Sequence, residues 1–271
     1  MLEQTKYSNL LNTLQTIQDE DVVDIKLPTT GQKAQFRKFT VSQQKDVLKS
    51  AVDVRIPELR FLMQINTILI DNQVTSETLH TTDRVPALLE LRVATLGSTL
   101  VENANSSSSS LDIHSHTKSF KRKKLSSKLF THTINQGNFT IACEVPTLEL
   151  DNRINNDCIR AISDKLQSEE GLTESVGEVF VFEIIKYISS VTFNDTEGES
   201  HNIIFSQLNT RQKINVFERL PMMVSVGVSD YITKIREFEN KFLQIKAKSD
   251  DTSAEPEVID IDFSPGLFNV E

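Results

Sequence analysis

The chain has 271 residues, 38% of them hydrophobic and 25% charged, which is enough length and apolar material for one large domain or two modest ones. Its 2 cysteines are too few for a disulfide framework. A formal charge of -9 repels phosphate backbones and excludes wholesale nucleic-acid binding unless basic residues are segregated on one face. The first residues lack the basic and then apolar pattern of a secretory signal, no apolar run approaches the length of a membrane span, and Cys143 and Cys158 fit a reducing, cytosolic compartment.

Residues 1–21 form an N-terminal segment in which Leu10, Leu11, Leu14 and Ile17 make a short helical stripe, suited to dock on a core or on a partner, while its mostly polar remainder fits partial disorder equally well. A second segment, 22–102, begins with a change of period. Val23, Ile25 and Leu27 alternate, Pro28-Thr29-Thr30-Gly31 supplies turn residues, and Ala34 and Phe36 alternate again, which predicts a β-hairpin. Thr40 and Gln43 have capping-box spacing ahead of a helix predicted to reach about Val52, burying Val47, Leu48, Ala51 and Val52. Pro57 suits the first turn of a second helix with an apolar face of Leu59, Leu62, Ile65, Ile68 and Leu69. Thr82 and Asp83 are candidate N-caps of a third, with Pro86 early and Leu88, Leu89, Leu91 and Leu96 inward.

Between 103 and 136 the composition changes to a serine run, Ser106 to Ser110, scattered histidines and Lys121-Arg122-Lys123-Lys124. So little apolar surface predicts a mobile loop or linker and a boundary. Residues 137–248 read as a strand plus a helical unit. Phe139 to Leu150 is extended around Pro146, as an edge strand would be, and Cys158, Ile159, Ile162 and Leu166 share a helical face. Phe180 to Ile188 alternates like a strand, but Glu183 and Lys186 at i,i+3 favour helix. Thr210 is placed to cap a helix through Ile214, Phe217 and Leu220 that Pro221 ends, and Ser229 to cap another through Ile232, Ile235, Phe238 and Phe242. The segment 249–271 is an acidic tail whose Val258 to Phe263 alternates like a terminal strand able to bind something. The expected fold class is α+β, mainly helical: an N-terminal hairpin followed by helices, a mobile insertion and a helical C-terminal part.

No phosphate-binding glycine loop, metalloprotease helix or nucleophile elbow is present. His114, His116, His132 and Cys143 are zinc-type donors, but their spacing matches no compact zinc pattern. A Cys143 nucleophile beside one of these histidines lacks an orienting third group. The reading is no catalytic, cofactor-binding or metal-binding residue, no cofactor and no enzyme. The basic cluster from Lys118 to Lys128, with Phe120 and Leu125 inside it, is the one place suited to touch nucleic acid or an acidic partner, and a solvated charged loop is the preferred reading. The Leu59–Leu69 and Ile232–Phe242 stripes read as internal packing.

Three stretches carry a resemblance: Leu27-Pro28-Thr29-Thr30-Gly31, then Phe36-Arg37-Lys38-Phe39-Thr40-Val41 with Lys45 leading into a helix, and Leu88-Leu89-Glu90-Leu91-Arg92-Val93-Ala94-Thr95-Leu96-Gly97. In this order they resemble the baseplate hub and hub-assembly family of T-even-type contractile-tailed bacteriophages, most clearly over residues 22 to 100 and more weakly from about 178 to 245. The later cysteine pairs of that family are missing here, so no metal is implied. The resemblance implies a structural or assembly component of the central baseplate hub that binds other hub or tail proteins, in the virion tail or in the infected bacterial cytoplasm during assembly. Nucleic acid is an unfavoured partner and no membrane span is expected. The alternatives are a tail-assembly chaperone absent from the mature virion, a nucleic-acid-associated regulator using the Lys121–Lys124 loop, and an enzyme with an unrecognised site.

Overall fold

The alternation near the N-terminus folds as its period dictates. In the computed structural model, which describes residues 2–50, 56–104, 107–163, 165, 169–194, 197–246 and 258–268, a helix α1 (Leu2–Glu20) precedes an antiparallel hairpin of β1 (Val22–Lys26) and β2 (Lys33–Arg37). Ile25, Leu27, Ala34 and Phe36 are fully buried on one face. The Leu27 N–H donates to the Gln32 carbonyl and the Gly31 N–H to the Leu27 carbonyl, with Gly31 at φ 79, a left-handed conformation that a Cβ would strain.

The capping box forms as its spacing predicts: the Gln43 N–H donates to Thr40 Oγ1 and the Thr40 N–H to Gln43 Oε1, opening α2 (Val41–Ser50). Val47 is buried, but Leu48 is 38% exposed, contrary to expectation, because it lies round the helix from the buried seam. Ala51 and Val52 lie outside the described residues. α3 (Pro57–Asn72) starts on its proline and buries Ile65, Ile68 and Leu69. α4 (Thr81–Leu96) begins earlier than predicted, so Thr82 and Asp83 sit in its first turn and are not caps. Asp83 Oδ1 instead accepts the Thr29 N–H, tying the hairpin turn to this helix.

The described chain divides into two units, 1–78 with 83–124 and 244–271, and 79–82 with 125–243. In the first, the serine-rich and basic segment expected as a loop carries a hairpin of β3 (Thr99–Ala104) and β4 (Ser107–Asp112) and a helix α5 (His114–Phe120). Backbone pairing needs no apolar side chain, and the few apolar residues beyond it, Ile113 and Phe120, are buried and anchor the segment.

The second unit is built on a four-stranded antiparallel sheet in the order β5-β6-β7-β8: β5 (Thr131–Gln136), β6 (Phe139–Glu144), β7 (Ile188–Asn194) and β8 (Ser200–Ile204). β6 was expected as an edge strand because of Pro146; it is internal, and Pro146 lies beyond its end, where the missing N–H breaks no ladder. β7 and β8 were not anticipated. A short α6 (Ser127–Phe130) leads into the sheet, and α7 (Leu148–Ile162) follows it. Of the Phe180–Ile188 run expected as helix, Phe180 to Ile185 ends a helix, α8 (Glu169–Ile185), as the Glu183–Lys186 spacing suggests, but Ile188 begins β7, where its backbone pairs with β6. Asn209, one residue before the expected Thr210, is the N-cap of α9 (Thr210–Phe217), in a reciprocal box with Gln212. α10 runs from Met222 to Leu243, so Ser229 is inside it and caps nothing; Pro221, expected only to end the preceding helix, also opens this one.

The terminal segment belongs to the first unit. There β9 (Gln244–Lys246) pairs with β10 (Val258–Asp260), Phe263 packs edge-on against Phe61, and Phe268 packs against Phe39 at 5.3 Å.

Candidate functional site

The residues behind the resemblance take structural positions. Arg92, 3% exposed, donates to the carbonyls of Gly97, Thr99 and Leu267, and burial lowers its pKa from the ordinary value. Gly97, at φ 89, turns the chain off the end of α4. Arg37 and Lys38 pair with Asp19 and Asp21, both at 2.8 Å, and so fasten the last turn of α1 and the residue after the helix to the hairpin. Arg92, Arg37 and Lys38 thus each have a partner within the first unit.

His114, His116, His132 and Cys143 are divided between the two units. His114 is exposed, and His116 packs edge-on against Phe120, both in the first unit. His132 stands opposite Cys143 across β5 and β6, and stacks on Tyr231 with centroids 5.4 Å apart. Burial pushes the Cys143 thiol up to about 12, so it is held as the un-ionised, unreactive form. Among the described residues no group of three or more His, Cys, Asp or Glu side chains is gathered to hold a metal.

A buried charge network, which the sequence reading did not single out, crosses the second unit. Lys186 lies 2.8 Å from Asp151 and 2.6 Å from Glu183, and Glu183 reaches Arg236 at 3.2 Å. Burial alone would lower the Lys186 pKa, but the two carboxylates overcome it and the net direction is upward. The i,i+3 spacing of Glu183 and Lys186 was the available signal; Asp151 was not legible, because it comes from a separate helix.

Among the described residues, α1 is an exposed surface. Every side chain from Lys6 to Glu20 faces solvent. On it Tyr7 (63% exposed), Leu10 (55%), Leu14 (47%) and Ile17 (56%) follow a 3-4-3 spacing, the seam of a coiled coil, with Leu11 beside them. The predicted stripe therefore forms and is uncovered by the described residues; Tyr7 extends it. By contrast, Ile65, Ile68 and Leu69 and the whole Ile232–Phe242 stripe are buried. In the basic cluster, Lys121, Arg122, Lys124 and Lys128 are exposed, Lys123 lies 5.3 Å over the Phe120 ring, and Lys26 donates to the Lys121 carbonyl.

Among the described residues, the apolar seam of α1 is an exposed patch of the kind that protein partners cover. The family model described as T4 bacteriophage base plate protein matches residues 20–250. The chain belongs to that family and is a phage baseplate protein. No curated protein and no solved structure matches it. No helix among the described residues is long and apolar enough to cross a membrane.

Proposed function

We propose that the chain is a component of the central baseplate hub of a contractile-tailed phage and acts by binding other hub or tail proteins, without catalysis. The observation that carries the binding role is α1. A helix that exposes a two-heptad apolar seam loses that surface to water unless a second helix covers it, at a cost of about 25 cal/mol per Å². Between Tyr7 and Gln18 the helix carries no charge, so packing into a partner helix desolvates no ion. Ion pairs of Asp19 and Asp21 tether its C-terminal end to the hairpin. The partner is a helix of another baseplate protein. The net charge of -9 weighs against nucleic acid.

The test is co-expression with the candidate hub proteins, followed by affinity capture and size-exclusion chromatography. A stoichiometric complex that Leu10→Glu with Leu14→Glu abolishes, while the variant stays folded, is expected. A chain that elutes alone with every candidate, or only as a homo-oligomer, overturns the reading. Mass spectrometry of purified particles is expected to find the chain; its absence there would make it an assembly chaperone.

A further inference from the structure

The second unit contains a cavity of about 290 Å³ lined by Arg153, Lys186, Lys213, Glu144 and the hydroxyl of Ser206, with an apolar wall that includes Leu150. Its unusual member is Lys213. The residue is 2% exposed, in the middle of α9, yet its ammonium makes no hydrogen bond or ion pair with any described residue. A buried cation without a counter-ion is costly, and the cost is relieved either by giving up the proton or by a ligand that supplies the missing charge. Lys186 is already neutralised by Asp151 and Glu183. Arg153, by contrast, pairs with no described acid, and Glu144, although it lines the same cavity, forms no ion pair with either cation. Burial, and then the charge of Arg153, lower the Lys213 pKa, which is the sign of two cations facing one space with no anion between them.

We propose that this cavity is a binding site for a carboxylate carried on an apolar stem, seated between Lys213 and Arg153 and supplied by an acidic side chain of a partner polypeptide. Two features select a carboxylate over phosphate. Val145, Pro146, Leu150, Ile188 and Ile204 line the wall and fit hydrocarbon, and Glu144 repels a doubly charged anion more than a singly charged one. A free carboxylic acid shares the chemistry. The polypeptide as its source rests on the protein-binding function proposed above; the carboxylate specificity does not, and involves no residue of α1.

The experiment titrates the full chain with sodium isovalerate, its neutral twin isovaleramide, inorganic phosphate, and a capped tripeptide with one glutamate between two leucines, reading amide shifts by NMR and the thermal midpoint. Isovalerate is expected to shift the Lys213 and Ser206 amides where isovaleramide and phosphate do not. Tighter binding of the tripeptide than of isovalerate supports a polypeptide source, and the reverse order overturns that part. Lys213→Met, which keeps the stem, is expected to weaken isovalerate binding at least tenfold while raising the thermal midpoint by about 2–4 °C, because it removes an unpaired buried charge. Arg153→Gln, at an exposed position, tests the site without risk to the fold and is expected to lose a similar factor. Equal binding of isovaleramide, no binding of either carboxylate, or a Lys213→Met variant that binds as the parent does would overturn the proposal.

Discussion

Arg92 Nε–H donates to the carbonyl of Leu267 at 3.0 Å, across 175 residues of sequence. The same guanidinium reaches the carbonyls of Gly97 and Thr99, so one side chain fastens the end of α4, the start of β3 and the terminal segment together. Next to Leu267, Phe268 is fully buried against Phe39, and its own carbonyl accepts from Gln44 Nε2 at 2.6 Å. The terminal segment is thus a part of the first unit's core.

Only arginine has donors in a fork wide enough for three carbonyls, so Arg92→Lys is expected to behave as a disruptive change. It leaves at least one buried carbonyl unpaired and should cost about 3 kcal/mol in urea unfolding. Phe268→Ala should cost about 3–5 kcal/mol through the cavity it leaves. Because both act on one segment, the double variant is expected to lose less than the two losses added. Full additivity would show that the segment is not held as a unit.

Glu90 sets a pH dependence in the same unit. Burial raises its pKa to about 7, with Lys121 opposing that rise, and Oε1 has no hydrogen-bond partner among the described residues. The native state therefore keeps the proton up to about pH 7, whereas the unfolded chain releases it near 4.5. In that window the native state binds more protons, so stability falls as pH rises, by at most about 3 kcal/mol between the two values. Glu90→Gln is expected to flatten the pH dependence of the urea midpoint from pH 5 to 7 and to be the more stable form at pH 7.5. An unchanged slope would locate the titration elsewhere.

Within the second unit, Gly227 brings α10 close to the sheet. A Cβ added there would lie 2.9 Å from Ile134 Cγ2, closer than carbon atoms approach. Alanine gains about 1 kcal/mol of helix propensity over glycine, but overpacking costs about 1–3 kcal/mol, so Gly227→Ala should be destabilising on balance. The strain is specific to one contact, and Ile134→Ala is expected to cost less in the Gly227→Ala background than alone. Equal costs in both backgrounds would mean that the helix shifts to accommodate the methyl group.

How much of this was legible depended on how local each determinant is. The β1–β2 hairpin, the Thr40–Gln43 box and the α3 face are set by spacings within a few residues, and they form as read. So does the α1 stripe, although nothing in Leu10, Leu14 or Ile17 says that they stay exposed. β7 and β8 escaped notice because Ser189, Ser190 and Thr192 interrupt the apolar pattern, and because β7 pairs with β6, which is far from it in sequence, while β8 pairs with β7. The Lys213 cavity was hidden for the same reason. Lys213, Arg153 and Glu144 come from α9, α7 and β6, and a lysine in a helix reads as solvated until its burial is measured.

The Lys186 network provides a last test, in which one residue changes the second unit's interior. With its side chain 5% exposed, Lys186 sits between two carboxylates, and Glu183 has a second cation in Arg236. Lys186→Met takes this cation from Asp151, whose side chain is 6% exposed, and such a loss costs about 3–5 kcal/mol. Asp151→Asn removes a carboxylate but leaves Lys186 paired with Glu183, so it should cost less. The native pKa of Lys186 is raised above 10.5, which means that its contribution is fully present below the unfolded value and is lost as pH rises through the native one. Unfolding measured from pH 7 to 10 should therefore show no difference in slope between parent and Lys186→Met, with the gap between them closing only above pH 10.5. A gap that narrows near neutrality would mean that the lysine releases its proton early and that the two carboxylates do not hold it charged.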